Sequence, residues 1–466
     1  MEALSMDTRT WAQQQFGRCR LGDKRRTPRL VDVAARVAAE PAASFPEQMA
    51  SWGDLKAAYR LFDADEVTFR AVAQPHWEQT RARSRGRYLV IGDTTEFDFG
   101  DRQIPGLAPT GNGSGYGFLL HSGLMVHADS EEIVGLSAQT IHYRQAVPKK
   151  ENIRQRLARE RESKVWGQVI EETGPPPAGV QWVHTLDRGA DNFEVYTHAW
   201  AQGADWVVRV SQLQRKILVP SGKKRRLSRY LRDLPLAGTY ELELRARPKQ
   251  PARTALLEVR YGALSVPPPA HQSPYVKKQN PGPLRMWVVW VREIGAPKGV
   301  QPIEWVLYSS LPVESLEDAW LVIGYYEKRW LIEEWHKALK TGCRVTDRQL
   351  KTKERLEAML GLMSVVAVRL LQLKSVARTE PERPAEEVVP ALWVSLLLLA
   401  RKNRPRKPLP VREFYRGMAQ LGGFLGRKGD GEPGWITIWR GWEKLHLMIR
   451  GSELAAELRK QHQKCG

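Results

Sequence analysis

Two short apolar runs in this chain each lead to an aspartate. Residues 88–91 (Tyr-Leu-Val-Ile) run through Gly92 to Asp93, and residues 180–186 (Val-Gln-Trp-Val-His-Thr-Leu) end at Asp187. Runs rich in β-branched and aromatic residues read as strands. Two more such runs, 123–127 and 133–137, lie between them, followed by a charged stretch with helical character from about 150 to 172. After Asp187 come a helical stretch and a further strand-type run at 205–210.

Three consecutive strands, a helix, then strands alternating with helices is the order of an RNase H-like α/β fold with a mixed sheet. In open α/β sheets, catalytic side chains gather where strands end and the backbone turns away from a crevice. Both aspartates are therefore expected at C-terminal strand ends. A third carboxylate, Glu333, belongs to a different pattern. At about 100° per residue, Tyr326, Arg329, Glu333, Lys337 and Lys340 fall within roughly 80° of arc on a helix. The opposite face holds Leu331, Ile332, Trp335, Ala338 and Leu339, so the helix anchors to a core and presents its polar groups outward. Lys328 is the one charge on the other side. Spacing alone describes the charged solvent face of an amphipathic helix.

The spacing Tyr326-x2-Arg329-x3-Glu333-x6-Lys340, together with Gly92-Asp93-Thr94-Thr95 and His184-Thr-Leu-Asp187-Arg188-Gly-Ala-Asp191, resembles the signature of DDE-type cut-and-paste DNA transposases of the insertion-sequence-four group, the group of the transposon-five transposase. Similarity runs from about Trp11 to the C-terminal region. The resemblance implies that Asp93, Asp187 and Glu333 are catalytic and hold two metal ions. Phosphodiester chemistry needs an activated oxygen nucleophile and a stabilised leaving oxygen, which two divalent ions held by hard oxygen ligands supply. Magnesium is expected, with manganese able to substitute. Glu96, Asp98, Asp191 and Glu334 are further acids nearby, so the ligand set stays open at this point. The same resemblance implies DNA contacts by Tyr326, Arg329, Lys337 and Lys340 beside the scissile bond and by Arg209. It also implies that Trp305 receives a base flipped from a DNA hairpin, although Trp305 shares a strand face with Ile303 and Leu307, which by default is core. Two departures stand out. Residues 113–118 lack the basic, tryptophan-rich character of the family, and the insertion described below is more basic.

Lysine plus arginine (72) exceeds aspartate plus glutamate (52) by 20 among 466 residues. Such an excess points to a polyanionic partner. No basic-then-apolar leader opens the chain, and the longest apolar run, 388–400, carries Pro390 and is too short for a bilayer, which needs about 20 residues. Double-stranded DNA is the expected partner, with no membrane. Cys19, Cys343 and Cys465 match no zinc spacing and read as free thiols in a reducing compartment. A bacterial cytoplasmic, nucleoid-associated location follows as an expectation.

Residues 1–70 read as a helical end-recognition domain. Thr27-Pro28 looks like a helix cap, Asp54 like another, and the resemblance places Arg26 and Arg29 on transposon-end DNA. Residues 71–375 read as the catalytic domain, interrupted at about 212–298 by a β-rich insertion. That insertion opens with a dense basic run, Lys223-Lys224-Arg225-Arg226, of flexible-loop type. Residues 376–466 read as a helical dimerisation domain. A basic linker occupies 401–408, and Trp435, Trp439, Trp442, His446 and Ile449 form a heptad-like stripe. By default such a stripe is intramolecular core; the resemblance raises a seam between two copies. The reading is a transposase that binds inverted terminal repeats, pairs ends as a homodimer, excises the element and joins 3′ hydroxyls to target DNA. Alternatives are a nuclease of the same fold that does not join, and a domesticated DNA-binding regulator.

Overall fold

In the computed structural model, residues 2–111, 115–244, 251–401 and 408–464 are described; 113–114, Cys465 and most of the basic linker read at 401–408 lie outside them. Among the described residues twelve strands share one sheet. In chain order they are β1 (Gly86–Asp98), β2 (Ala108–Pro109), β3 (Tyr116–His127), β4 (Ile133–His142), β5 (Val180–Leu186), β6 (Asp205–Arg209), β7 (Lys216–Leu218), β8 (Lys224–Arg226), β9 (Gly238–Leu244), β10 (Arg253–Val266), β11 (Leu284–Ile294) and β12 (Glu304–Ser309). Strand β4 lies beside β3, β3 is antiparallel to β1, and β5 and β6 follow parallel to β1. Three antiparallel strands followed by two parallel ones make the RNase H-like core expected from the order of the runs.

Side chains alternate across β1 as a pleated strand requires: Leu89 and Ile91 enter the main core, while Tyr88 and Val90 pack with Met125 and Trp182 on the other face. Helices Phe69–Arg81 and Lys353–Thr379 cover β4. The second of these is long and apolar enough to cross a membrane by length and composition, yet 89% of its apolar window is buried within the protein. A helix apolar on all sides is a core helix when protein surrounds it.

The insertion does not fold apart from this core. Strand β12 pairs with β6 through Leu307 opposite Arg209, and β11, β10, β7 and β8 extend the same sheet outward, with β9 beside β10. Pairing β12 on β6 satisfies an edge that would otherwise present bare N–H and C=O groups. The basic run is likewise ordered: Lys224, Arg225 and Arg226 form β8, the exposed arm of a hairpin with β7.

Several local expectations need correction. The helix at the Thr27-Pro28 pair is Arg26–Ala39, starting before that pair. Thr27 bonds the Cys19 carbonyl at 2.8 Å instead of capping, and Pro28 is tolerated because first-turn N–H groups have no helical partner anyway. The helix Trp52–Phe62, which follows the short helix Phe45–Gln48, is capped by Ser51; Asp54 sits in its first turn, 3.2 Å from Arg29. The charged stretch near 150–172 is not one helix. It breaks after Ile153–Ala158, where Arg159 turns extended and reaches back to Glu151 at 2.6 Å, and resumes at Val165–Thr173.

The C-terminal helices Ala391–Arg401, Val411–Leu421 and Trp435–Lys464 pack together and onto the body. All five stripe residues are buried, and the Trp442 indole donates to the Ala38 carbonyl at 3.0 Å. The stripe is thus intramolecular core. A separate row on the last helix points outward: Ile436, Leu447, Leu454 and Leu458 are 57%, 56%, 54% and 56% exposed and fall within about 40° of arc.

Candidate active site

Parallel pairing between β1 and β5 ends at Gly92 opposite Leu186. Asp93 and Asp187 are the next residues on each strand, so the register sets the two aspartates side by side. Gly92 lets the strands approach closely there, since a Cβ would stand 2.5 Å from the end of the Leu186 side chain. Beyond this point the strands diverge. Asp187 leaves the sheet as expected and accepts the Gly189 N–H at 2.7 Å. Asp93, however, lies within a strand rather than at its end, because β1 continues to Asp98 against β3, with Asp93 opposite Ser122. What ends at Asp93 is the pairing with β5, and that opens the crevice.

Glu333 comes from the helix Trp330–Lys337. The expected continuous helix is interrupted: Leu316–Glu327 ends before Lys328 and Arg329, and Ala338–Gly342 widens into a π turn. The anchoring face is as expected, with Leu331, Ile332, Trp335, Ala338 and Leu339 buried. Lys328, off the polar face, donates to the Ala128 carbonyl at 2.5 Å. The break frees Arg329 to reach sideways, and its guanidinium lies 3.3 Å from Asp93 while also bonding Glu333.

Burial pushes the Asp93 carboxyl up to about 6, with the negative charges of Asp187 and Glu333 adding to the rise and the Thr94 N–H and Arg329 opposing it. The three carboxylates are therefore electrostatic neighbours. Among the described residues no three His, Cys, Asp or Glu side chains converge closely enough to hold an ion as they stand. Arg329 sits between two of the three. The donor set nevertheless fits divalent cations: hard carboxylate oxygens, like charges crowded in a partly buried crevice, and one cationic side chain already drawn in to offset them.

The four extra acids are engaged elsewhere. Asp191 is buried and accepts from Tyr196, Ser211 and Gln212 and pairs with Arg215. Glu334 is buried against Lys337, Lys374 and the Trp435 indole. Glu96 takes the Gly111 N–H and Arg144, and Asp98 takes the Gly100 N–H and Thr110. Of these seven acids, Asp93, Asp187 and Glu333 are the three left at the crevice.

Around them, Lys337 is 57% exposed, and Lys340 stands 5.4 Å over the Phe97 ring with burial lowering its ammonium pKa. Tyr326 is not on an outward face as its spacing suggested; it is buried, with the Trp305 ring edge-on at 5.8 Å. Trp305 itself is half-buried. Arg209 donates to the Glu304 carbonyl at 3.0 Å, one residue from Trp305. Arg26 and Arg29, in the N-terminal region, pair with Glu66 and Asp54. The grip of Lys374 and Trp435 on Glu334 had no sequence signal, because 101 residues separate Trp435 from its partner.

Comparison with known families adds three matches in chain order. Residues 8–67 match the model "Transposase DNA-binding", residues 153–369 "Transposase DDE domain" and residues 365–461 "Transposase Tn5 dimerisation domain". These agree with the family resemblance carried by the Tyr326 to Lys340 signature. Asp187 and Glu333 fall inside the DDE match, and Asp93 lies before it. A cryo-EM structure of the piggyBac transposase synaptic complex with hairpin DNA is similar at 9% identity and a TM-score of 0.37, over 90% of this chain and 77% of that one.

Proposed function

We propose, on the premise that the chain is a DDE transposase resembling that of Tn5, that it pairs two element ends as a dimer, cuts them free through a DNA hairpin and joins their 3′ hydroxyls to target DNA. The observation that carries this reading is the register that sets Asp93 beside Asp187, with Arg329 reaching across to Glu333. DNA-binding and dimerisation regions accompany the DDE region, and divalent-metal dependence is general in that family. We assign residues 1–70 to end recognition, 71–375 to catalysis with the insertion at about 212–298, and 376–466 to dimerisation. The protein would act on the bacterial nucleoid.

Asp93, Asp187 and Glu333 would hold two Mg2+ ions, replaceable by Mn2+, and the ions would activate the attacking oxygen and offset charge on the leaving one. Arg329 would move from the carboxylates to a phosphate beside the scissile bond. Lys337 and Lys340 would hold neighbouring phosphates, Tyr326 would support that grip from its buried position, and Arg209 would lie along the strand. Arg26 and Arg29 would exchange their acidic partners for end DNA. Such contacts orient the backbone without reading sequence.

The decisive experiment incubates the protein with paired end DNA, target DNA and Mg2+. Joined products are expected; cleavage without joining would favour a nuclease, and binding without cleavage a regulator. In the same assay Trp305→Ala should nick the first strand normally but slow hairpin formation or opening. A stacked base recovers about 1–3 kcal/mol. Loss of every step together with thermal stability would assign Trp305 to the core alone.

Because the tryptophan stripe is internal, we place the contact between copies on the outward row Ile436, Leu447, Leu454 and Leu458, which lies within the dimerisation match. The double substitution Leu454→Glu with Leu458→Glu should abolish paired-end cleavage and leave binding to a single end intact. Light scattering checks it: a complex of unchanged mass that still cuts paired ends would remove the row from the interface.

A further inference from the structure

Two adjacent glutamates on the helix Trp330–Lys337 have opposite surroundings. The Glu333 side chain is 47% exposed, while that of Glu334 is 11% exposed. Three donors converge on Glu334: Lys337 at 2.8 Å on one oxygen, and Lys374 and the Trp435 indole N–H, the latter at 2.9 Å, on the other. Lys374 also stands 4.5 Å over the Trp435 ring, so indole, ammonium and carboxylate form one closed cluster.

The next turn of the last helix holds the other end of the same segment. Trp439 stacks on Trp435 at 5.9 Å and covers Gly342, where a Cβ would meet the indole at 1.6 Å. No side chain but hydrogen fits between them. The first turns of Trp435–Lys464 thus grip the Glu333 segment at both ends. Successive residues on a helix point about 100° apart, so fixing the direction of Glu334 fixes that of Glu333.

Resting on the transposase reading above, we propose that Trp435, acting through Glu334, is a positioning residue for Glu333. The last helix then has two working faces. One holds the segment carrying the third active-site carboxylate, and the other exposes the apolar row assigned to a second copy. A change in how that helix sits on pairing would reach Glu333 through a single hydrogen bond and two packed indoles.

Trp435→Phe in the full-length protein tests this, because it removes the indole N–H and keeps an aromatic ring against Trp439 and Lys374. Partners that orient metal-ligating carboxylates typically change metal affinity by about 10–100-fold. Mn2+ binding to Trp435→Phe should weaken by about tenfold in titration calorimetry, and kcat for nicking should fall by a similar factor. KM for end DNA, molecular mass and thermal midpoint should stay close to wild type. Glu334→Gln keeps an oxygen for the indole N–H and should recover most of the affinity that Glu334→Ala loses. Unchanged Mn2+ affinity in Trp435→Phe overturns the proposal. So does a loss of affinity that tracks a matching fall in thermal midpoint, since that is a structural role. If the wild-type protein fails to nick end DNA, the transposase reading suffers, and the Mn2+ isotherms still decide the positioning of Glu333.

Discussion

Alanine in place of Asp93, Asp187 or Glu333 should reduce nicking of end DNA by about a thousandfold or more, beyond the 10–100-fold that partners of metal ligands usually cost, while end affinity stays within a few-fold. Chemistry and affinity come from different groups here. Affinity for DNA rests on phosphate neutralisation by lysines and arginines, and none of those is altered. The substitutions should also leave the fold intact. Burial, with Asp187 and Glu333 nearby, raises the Asp93 carboxyl from 3.8 to about 6. A carboxyl raised in the folded state favours folding in its protonated form, so its contribution is complete below 3.8 and is lost as pH climbs to about 6. At neutral pH the ionised Asp93 therefore weighs against folding, and Asp93→Ala should hold or raise the thermal midpoint. Gel-shift affinity, Mg2+-dependent nicking and thermal unfolding on the same preparations check all three claims. Nicking that survives in any one variant removes that residue from the site.

Much of this site was legible because its signals are local. The apolar runs before Asp93 and Asp187 are strand patterns with a period of two, and the buried face of the Glu333 helix is a pattern with a period near 3.6. What the sequence does not display is where pairing stops. Asp93 reads as the end of a short run, but β3 continues to pair with β1 for five residues beyond it, through Asp98 opposite Gly117. The crevice comes from divergence of β5, a relation between segments about ninety residues apart.

Similar reasons lie behind the other differences. Helical spacing places Tyr326 with Arg329 only if the helix is unbroken, and the break at Lys328 and Arg329 turns the ring inward against Trp305 while aiming the guanidinium at Asp93. Thr27-Pro28 is a good capping pair by composition, yet a carbonyl eight residues earlier takes the Thr27 hydroxyl. The insertion reads as a separate β-rich unit because its segment is contiguous in sequence. Its strands join the core sheet because β6 has a free edge and β12, which follows the insertion, pairs there. The tryptophan stripe marks a strongly apolar helix face, but spacing cannot say whether another copy or the chain's own helices cover it.

Asp187 and Asp191 show how far apart two neighbouring acids can be in role. Asp187 faces the crevice with one backbone donor. The Asp191 side chain is fully buried at 0% exposure, its oxygens taken by the Tyr196 hydroxyl at 2.6 Å, the Ser211 N–H at 2.7 Å, the Gln212 N–H at 3.0 Å and the Arg215 guanidinium. Arg215 is itself only 13% exposed and also donates to the Asp191 carbonyl at 2.9 Å. This cluster ties the turn after β5 to the loop after β6. Removing one partner of a buried ion pair leaves a charge without compensation and typically costs about 3–5 kcal/mol. Asp191→Ala should therefore lower the urea midpoint sharply, whereas Asp187→Ala, a loss at a partly exposed turn, should cost no more than about 1 kcal/mol. Activity separates the pair in the opposite sense: Asp187→Ala stays folded and does not nick, and whatever fraction of Asp191→Ala remains folded nicks at a normal rate. If Asp191→Ala unfolds at the wild-type urea concentration and fails to nick, then Asp191 belongs among the ligands and the assignment of Asp187 alone after β5 is wrong.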